Sequence, residues 1–398
     1  MHDSIEQVFE DLLAWCRRRD FAGPDPFDAL NSRVFQSTPF RHSRTARLIW
    51  TQALKRSPLN LRSLALIPPQ KNPKGHALFA LAALANYRRL KTAEAESLAR
   101  ELLDELEQMQ IQNYSGAAWG YNFDWQSRNF FAPQRTPTIV PTAFAAQAMI
   151  EAQQTLGDDK YLRIARSSCD FILKDLKRSV ESDDEVCFSY STADSTQIFN
   201  ASLLAAEILA SVGASTGETA LCDLAVRAAR FVVRRQREDG SWAYGVEQGQ
   251  HWIDNFHTAY VLRSLARIAG VCSAYRADID LALQRGYEFW RERFFLADGW
   301  PKYYHDALYP ADAHAAATAI VTLLELRELD SGALPLAERI AGWTIRNLHD
   351  SRGFFYYQRR RFQTVRTPYM RWTESWMLYA LARMLEEKVG VNDQDKES

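Results

Sequence analysis

A unit of helix, aromatic turn and helix returns along this chain, and its return limits the fold more than any single residue does. The clearest copy runs from Arg230 to His257. Apolar Phe231, Val232 and Val233 lie in a helical segment that stops at Gln236. Asp239-Gly240 then calls for a tight turn, because glycine alone takes positive φ without steric cost. Ser241-Trp242 leads back toward the body, and a second helix begins near Asp254. The turn aromatics Phe188, Trp242, Trp300 and Phe354 follow one another at intervals of 54 to 58 residues. A fixed period with one helix pair per unit marks a helical repeat array.

Within each unit an amphipathic outer segment precedes an alanine-rich inner one. The inner segments are expected near 75–90, 138–149, 197–209, 254–268, 312–326 and 369–385. Open solenoids carry polar terminal repeats, and none is visible here. Six inner segments therefore predict an all-α chain closed into an (α/α)6 toroid, a single domain over 1–390. Residues 391–398 are expected to be a polar, disordered tail. Before the first inner helix the chain has a helix at 5–19, a loop through Gly23-Pro24-Asp25-Pro26, a helix at 43–55, and a section broken by Pro58, Pro68, Pro69 and Pro73.

Several function classes fall away. A net charge of −1 argues against nucleic-acid binding through an overall basic surface. Five dispersed cysteines without a CxxC pair read as reduced structural thiols. No secretory h-region and no run of ~18 apolar residues is present, so no transmembrane segment and a cytoplasmic location are expected. His-Glu-x-x-His, cysteine clusters, Walker loops, Gly-x-Gly-x-x-Gly and serine elbows are missing. No metal and no cofactor is therefore expected, which leaves acid–base work by His, Tyr and carboxylates.

Ring closure also locates a site. All outer-to-inner turns must share one end, together with the N-termini of the inner helices, whose dipoles favour an anion. That end collects Trp119, Asp124, Trp125, Asn200, Trp252, Asp254, Asn255, His257, Tyr303, Tyr304, His305, Asp312, His314, Tyr357, Tyr369, Arg371, Trp372 and Glu374. Rings beside polar tips are the composition of a sugar cleft. Structural readings stand beside this one. The Gly-x-Trp turns plug gaps between hairpins, Asp254 and Asp312 cap their helices, and a histidine on an apolar helix is a hydrogen-bonded core group.

Arg227-Ala-x-x-Phe231 through Gln236 to Gly240-Ser-Trp242 resembles the QW repeat of terpene cyclase and prenyltransferase toroids. The Asp-x-Asp-Asp acid of that chemistry has only Glu181-Ser-Asp183-Asp184 as its nearest counterpart, which disfavours it here. Trp119-Gly-Tyr-Asn-Phe-Asp124-Trp125-Gln, Trp252-Ile-Asp-Asn-Phe-His257-Thr, Pro301-Lys-Tyr-Tyr-His305 and Pro368-Tyr-Met-Arg371-Trp372 resemble bacterial VpsJ-like proteins of exopolysaccharide and capsule biosynthesis. The predicted toroid is also similar to those of sugar 2-epimerases, uronyl epimerases, polysaccharide lyases and six-hairpin glycosidases. The resemblance implies a sugar or oligosaccharide substrate, anionic or lipid-linked, and polysaccharide-assembly proteins as partners.

The leading expectation is epimerase- or lyase-like proton abstraction. His257 and His314 act as acid and base, assisted by Tyr304 and His305; Arg371 holds a carboxylate, and Trp125, Trp252 and Trp372 stack on sugar. Glycoside hydrolysis by two of Asp124, Asp254, Asp312 and Glu374 is the second. A non-catalytic glycan-binding or scaffold subunit is the third.

Overall fold

The structure is a computed structural model that describes residues 4–127 and 131–397, with side chains through residue 389. Fourteen helices occur among these: α1 (Ile5–Arg17), α2 (Arg33–Gln36), α3 (Arg44–Arg56), α4 (Pro73–Leu90), α5 (Ala93–Gln108), α6 (Ile139–Leu156) and α7 (Asp159–Lys174) form the first half. The second half has α8 (Phe199–Thr216), α9 (Thr219–Val233), α10 (Asn255–Val271), α11 (Arg276–Phe294), α12 (Ala313–Glu325), α13 (Ala333–Leu348) and α14 (Ser375–Glu397). The tail expected at 391–398 continues the backbone of α14 as far as Glu397; its side chains and Ser398 lie outside the described residues.

Helices α4, α6, α8, α10, α12 and α14 pack in sequence, and α14 returns against α4, so the ring is closed. The fold is an all-α (α/α)6 toroid. The inner helices are buried almost all round because they are small and apolar: α6 is buried continuously from Ile139 to Ile150, with Ala143, Ala145, Ala146 and Ala148 letting its neighbours approach. Outer helices bury one stripe. In α7 it is Tyr161, Ala165, Ser168, Cys169, Phe171 and Ile172. Helix α1 closes the outer layer against α14.

The aromatic turns do structural work that repeats from unit to unit. Trp119 Nε1 donates to Leu106 O at 2.8 Å and Trp242 Nε1 to Val232 O at 3.0 Å. Each indole thus adds a second donor to a carbonyl in the last turn of the preceding outer helix, which also accepts a backbone N–H, from Met109 or Arg235. Gln236 Nε2 ties the same turn to Gly240 O and to Ala282 O on α11. Gly240 and Gly299 have φ of 86° and 92°, and an added Cβ would meet Arg285 O at 2.4 Å or Arg339 O at 2.3 Å. A side chain at either point is excluded by both backbone and neighbour.

The two ends of the ring differ in kind. Inner-to-outer turns are short, as at 91–92, 157–158 and 217–218. Outer-to-inner connections are long and carry the short antiparallel hairpins, such as 178–181 with 186–188 and 358–359 with 364–365. The longest, between α1 and α4, folds as a cap with a small core of its own: Ala29, Leu54, Ala65 and Ile67 under Trp50.

Candidate functional site

Helix α10 begins at the long-loop end, and its cap is the best-formed chemical unit there. Asp254, 2% exposed, accepts the backbone N–H of His257 at 3.0 Å through Oδ1. Its Oδ2 lies 2.7 Å from His257 Nδ1 and accepts Trp252 Nε1 at 3.0 Å. A carboxylate held this way fixes the imidazole with its proton on Nδ1 and turns Nε2 outward as a base. The ring is half-buried beside Tyr244, at 4.5 Å between centroids, and Tyr244 stacks on Trp252 at 4.5 Å and 16°. Asn200, buried with Oδ1 unpartnered among the described residues, lines the same recess.

His314 stands elsewhere. It is fully buried, Nε2 is 2.9 Å from Tyr260 Oη, and Nδ1 is 3.0 Å from Trp372 O. Burial, then the charges of Lys74 and Arg371, hold its pKa well below the usual histidine range. A neutral ring with Nδ1–H on Trp372 O accepts from Tyr260, whose oxygen can then accept Lys74 Nζ at 3.1 Å. Both nitrogens are spent. Phe256 lies between the two histidines, 4.0 Å from the ring of His257 and 4.7 Å from that of His314.

The expected carboxylate clamp already holds a carboxylate. Arg371 binds Asp25 of the cap in a fork, Nε–Oδ2 2.5 Å and Nη2–Oδ1 2.8 Å, with both side chains at most 4% exposed. The rings of Tyr121, Trp372 and Phe123 surround the guanidinium at 5.1, 5.3 and 5.6 Å. Burial pulls its pKa down and Asp25 more than reverses that. Two lysines lie among rings as well. Lys74, fully buried, sits 4.6 Å over Phe144 and 5.2 Å over Tyr260; Lys55 of the cap sits 4.2 Å over Phe27 and 5.3 Å over Trp372. Burial drives Lys74 well below the lysine range and Lys55 to about 8. Trp372 and Trp376, one turn apart on the last inner segment, have buried Nε1 groups without partners among the described residues.

Other expected residues serve the frame. Trp119 is a turn plug and reaches no cleft. Asn255 is fully buried between Trp290 Nε1 and Lys302 O. Asp124 accepts the backbone N–H of Gln134 in a surface hairpin. His305 turns outward against Phe289 and Phe294 of α11. Glu374 is fully buried and accepts from Phe355 N, and burial pushes its pKa well above the usual carboxylate range. Asp312 caps α12 through Ala315 N at 2.7 Å, and burial lifts it to about 7. Tyr357 and Tyr369 pack on each other, and Tyr369 Oη reaches Lys55 O. Trp125 leans on Tyr121 and Tyr190, and Tyr303 on Tyr304 and Phe256. A backbone bridge sets Tyr304 beside Asp254.

One expectation is corrected. A sugar-sized hollow was expected at the inner-helix N-termini, but the spaces at His257 and at Arg371 are each about 10 Å³, room for one water at most. The cap fills this end by inserting Asp25, Phe27 and Lys55. A cavity of about 550 Å³ lies instead at the opposite end, where two-residue turns leave the axis open. Its wall is a closed ion network: Arg88 with Glu386 and Glu151, Arg267 with Glu207 and Glu325, and Gln147 on Glu207.

Asp25, Lys55, Lys74 and Tyr260 were missed from sequence. Lys74 had a signal, a lysine opening a helix otherwise apolar on every face. Asp25 had none, since pairing over 346 positions leaves no local pattern.

The sequence matches no protein-family model and no curated protein. The fold is shared with solved structures. A cellobiose 2-epimerase from Bacillus thermoamylovorans aligns with TM-score 0.64 and 14% identity, over 80% of this chain and 88% of that one. The GH76 alpha-mannanase of Bacteroides thetaiotaomicron gives 0.63 and 12%, over 80% and 87%. An unsaturated glucuronyl hydrolase specific for heparin gives 0.59 and 14%, over 81% and 89%. At these identities the likeness is one of fold.

Proposed function

We propose that this protein is an enzyme of carbohydrate metabolism that moves a proton on an acidic sugar at the long-loop end of the barrel. The observation that carries this reading is the Asp254–His257 pair, a buried carboxylate orienting a half-buried imidazole under the Trp252–Tyr244 stack. His257 Nε2 takes the proton from a carbon made acidic by an adjoining carbonyl or carboxylate, and Asp254 stabilises the imidazolium formed. Buried donors then steady the enolate; Lys74, beside Tyr260 and Trp376, is the candidate for this role. His314 is a positioning residue for Tyr260 in this scheme. Like toroids named as a sugar epimerase and a glucuronyl hydrolase support the substrate class, and the VpsJ-like motifs support a role in surface-polysaccharide assembly on a free or lipid-linked sugar. The cap must lift for entry, releasing Arg371 from Asp25 to a substrate carboxylate.

Glycoside hydrolysis is the second reading. It is favoured by Asp312, which burial raises to about 7, the range of a general acid. Incubation with uronate-containing oligosaccharides in heavy water separates the readings. Deuterium wash-in without cleavage is expected, falling ~100-fold or more in His257→Ala with the helical signal unchanged. New reducing ends without wash-in and without an unsaturated uronate would favour hydrolysis, new reducing ends with an unsaturated uronate the lyase form of proton abstraction, and binding with neither would leave a glycan-binding subunit. Equal wash-in by wild type and His257→Ala would remove the pair from the mechanism.

A further inference from the structure

The cap over the barrel mouth has an outer face whose composition the sugar chemistry does not use. Between Ala29 and Asn72 the cap has no aspartate or glutamate, and of its eight lysines and arginines Arg33, Arg41, Arg44 and Arg56 are exposed, while Lys55 and Arg62 turn inward and Lys71 pairs with Asp20 and Glu105. Large apolar side chains stand in solvent on the same unit: Leu64 is 77% exposed, Leu59 69%, Ile49 64% and Phe40 62%. They are not the cap's own core, which is formed by Ala29, Leu54, Ala65 and Ile67. On α3 the exposed positions Thr45, Ile49, Ala53 and Arg56 are three or four residues apart, so they share one outward stripe.

A second segment extends this surface. The hairpin at 358–365 abuts the end of α3, where Gln363 Nε2 donates to Arg56 O at 3.2 Å. Its tip presents Phe362, 89% exposed, beside Arg359, Arg360 and Arg361. No carboxylate occurs between Asp350 and Glu374. Two segments distant in sequence, each with exposed apolar side chains and arginines, thus meet at the end of α3.

We infer that this face docks on an anionic lipid surface. Isolated exposed apolar residues are ordinary on proteins, but a cluster of them marks an interaction site. Apolar tips interleaved with basic groups are what a monotopic interface requires: rings and leucines enter the acyl boundary while arginines meet lipid phosphates. A protein partner would need a matching acidic apolar surface, and a polyanion such as nucleic acid would use the arginines and leave Phe362 and Leu64 idle. No described helix is long and apolar enough to cross a membrane, so contact is from one side. Docking sets the cap, and with it Asp25 and Lys55, against the bilayer. The inference is independent of which reaction the barrel performs.

Vesicle flotation of the full chain tests it. Vesicles of phosphatidylcholine alone are compared with vesicles containing one third phosphatidylglycerol, at about 0.1 M and about 0.5 M salt. Binding to the anionic vesicles at low salt is expected, with little to phosphatidylcholine. Leu64→Asp with Phe362→Asp should weaken it about tenfold or more, the loss of two inserted side chains. Arg41→Glu with Arg361→Glu should do the same by the electrostatic route. These are surface positions, and an unchanged thermal melt shows that each variant is folded. Absence of anionic-vesicle binding overturns the inference. So does equal binding to both vesicle types, and so does binding that the Leu64 and Phe362 changes leave intact while heparin competes it away, the result expected of a polyanion site.

Discussion

Replacing Asp25 by alanine tests the closed mouth most directly. The change removes two charge-assisted bonds to Arg371, at 2.5 and 2.8 Å, and the bond that Asp25 accepts from Phe27 N at 2.9 Å. What remains is a guanidinium 3% exposed with no carboxylate. Arginine cannot escape by shedding its proton, whereas Lys74, in similar surroundings, is driven toward the neutral form. Removing one partner of a buried pair costs about 3–5 kcal/mol, and the lost backbone bond about 1 kcal/mol more. The rings around Arg371 hold it in both forms and cancel. Urea unfolding followed by tryptophan fluorescence should thus show a loss of about 4–6 kcal/mol. Arg371→Leu in the same chain should restore much of it, giving a coupling of about 2–3 kcal/mol, because no orphan charge then remains. Acetate should raise the midpoint of Asp25→Ala and leave wild type unmoved, since a small carboxylate can occupy the vacated fork. A loss under about 1 kcal/mol, or strictly additive single changes, would mean that the cap is not latched at Arg371, and the account of a cap-filled mouth would fail with it.

Three further outcomes follow from buried groups. Asp312 has a folded pKa of about 7 against an ordinary carboxyl value near 4. The native state therefore binds the extra proton, and stability from this group is full below about pH 4 and falls as pH rises through about 7. Asp312→Asn, which keeps a capping oxygen for Ala315 N, should flatten that decline and be the more stable protein at pH 8 in urea titrations. Glu325 is held well below the carboxylate range, where burial opposes and Arg263 and Arg267 prevail. Its contribution is present above about pH 4.5 and is lost on acidification. Glu325→Gln should cost about 3–5 kcal/mol at pH 7, and a smaller penalty as pH falls is the check. Trp242→Ala should cost about 3–5 kcal/mol by opening the plug and removing the indole bond to Val232 O, with Trp242→Phe intermediate, as read by thermal melts.

The ring was legible because it is written in local periodicity. Inner and outer helices differ in how much of their circumference is apolar, and the Gly-x-Trp turns fall at a fixed interval. The caps expected at Asp254 and Asp312 are observed, accepting from His257 N and Ala315 N. The same cap brings the Asp254 carboxylate to the imidazole of His257, the third helical residue. What was not legible is pairing across the ring. Arg371 reads as an unclaimed cation until Asp25 is folded over it, and His314 reads as a twin of His257 until Tyr260 and Trp372 O are seen to occupy both nitrogens. A repeat gives two residues the same station without giving them the same neighbours, so equivalence in register did not carry equivalence in role.

The two ends of the barrel assign different tasks for electrostatic reasons. At the long-loop end the positive poles of six inner helices converge on Arg371, Lys55 and Lys74. Asp25 answers only the first of these as an ion pair, and no described carboxylate lies within ion-pair reach of Lys55 or Lys74. At the opposite end the helices present their negative poles, and Arg88, Arg263, Arg267 and Arg383 meet Glu151, Glu207, Glu325 and Glu386 in mutual pairs. The arginines and glutamates around the open cavity are thus mutually paired, whereas at the filled mouth Lys55 and Lys74 have no ion-pair partner among the described residues. An anion entering the barrel gains most where space is smallest, and the part that denies it space is the cap, whose Asp25 stands in for the missing charge. In the proposed function movement of that cap is the step on which access depends, and the basic apolar outer face of the same element is where a lipid surface would act on it.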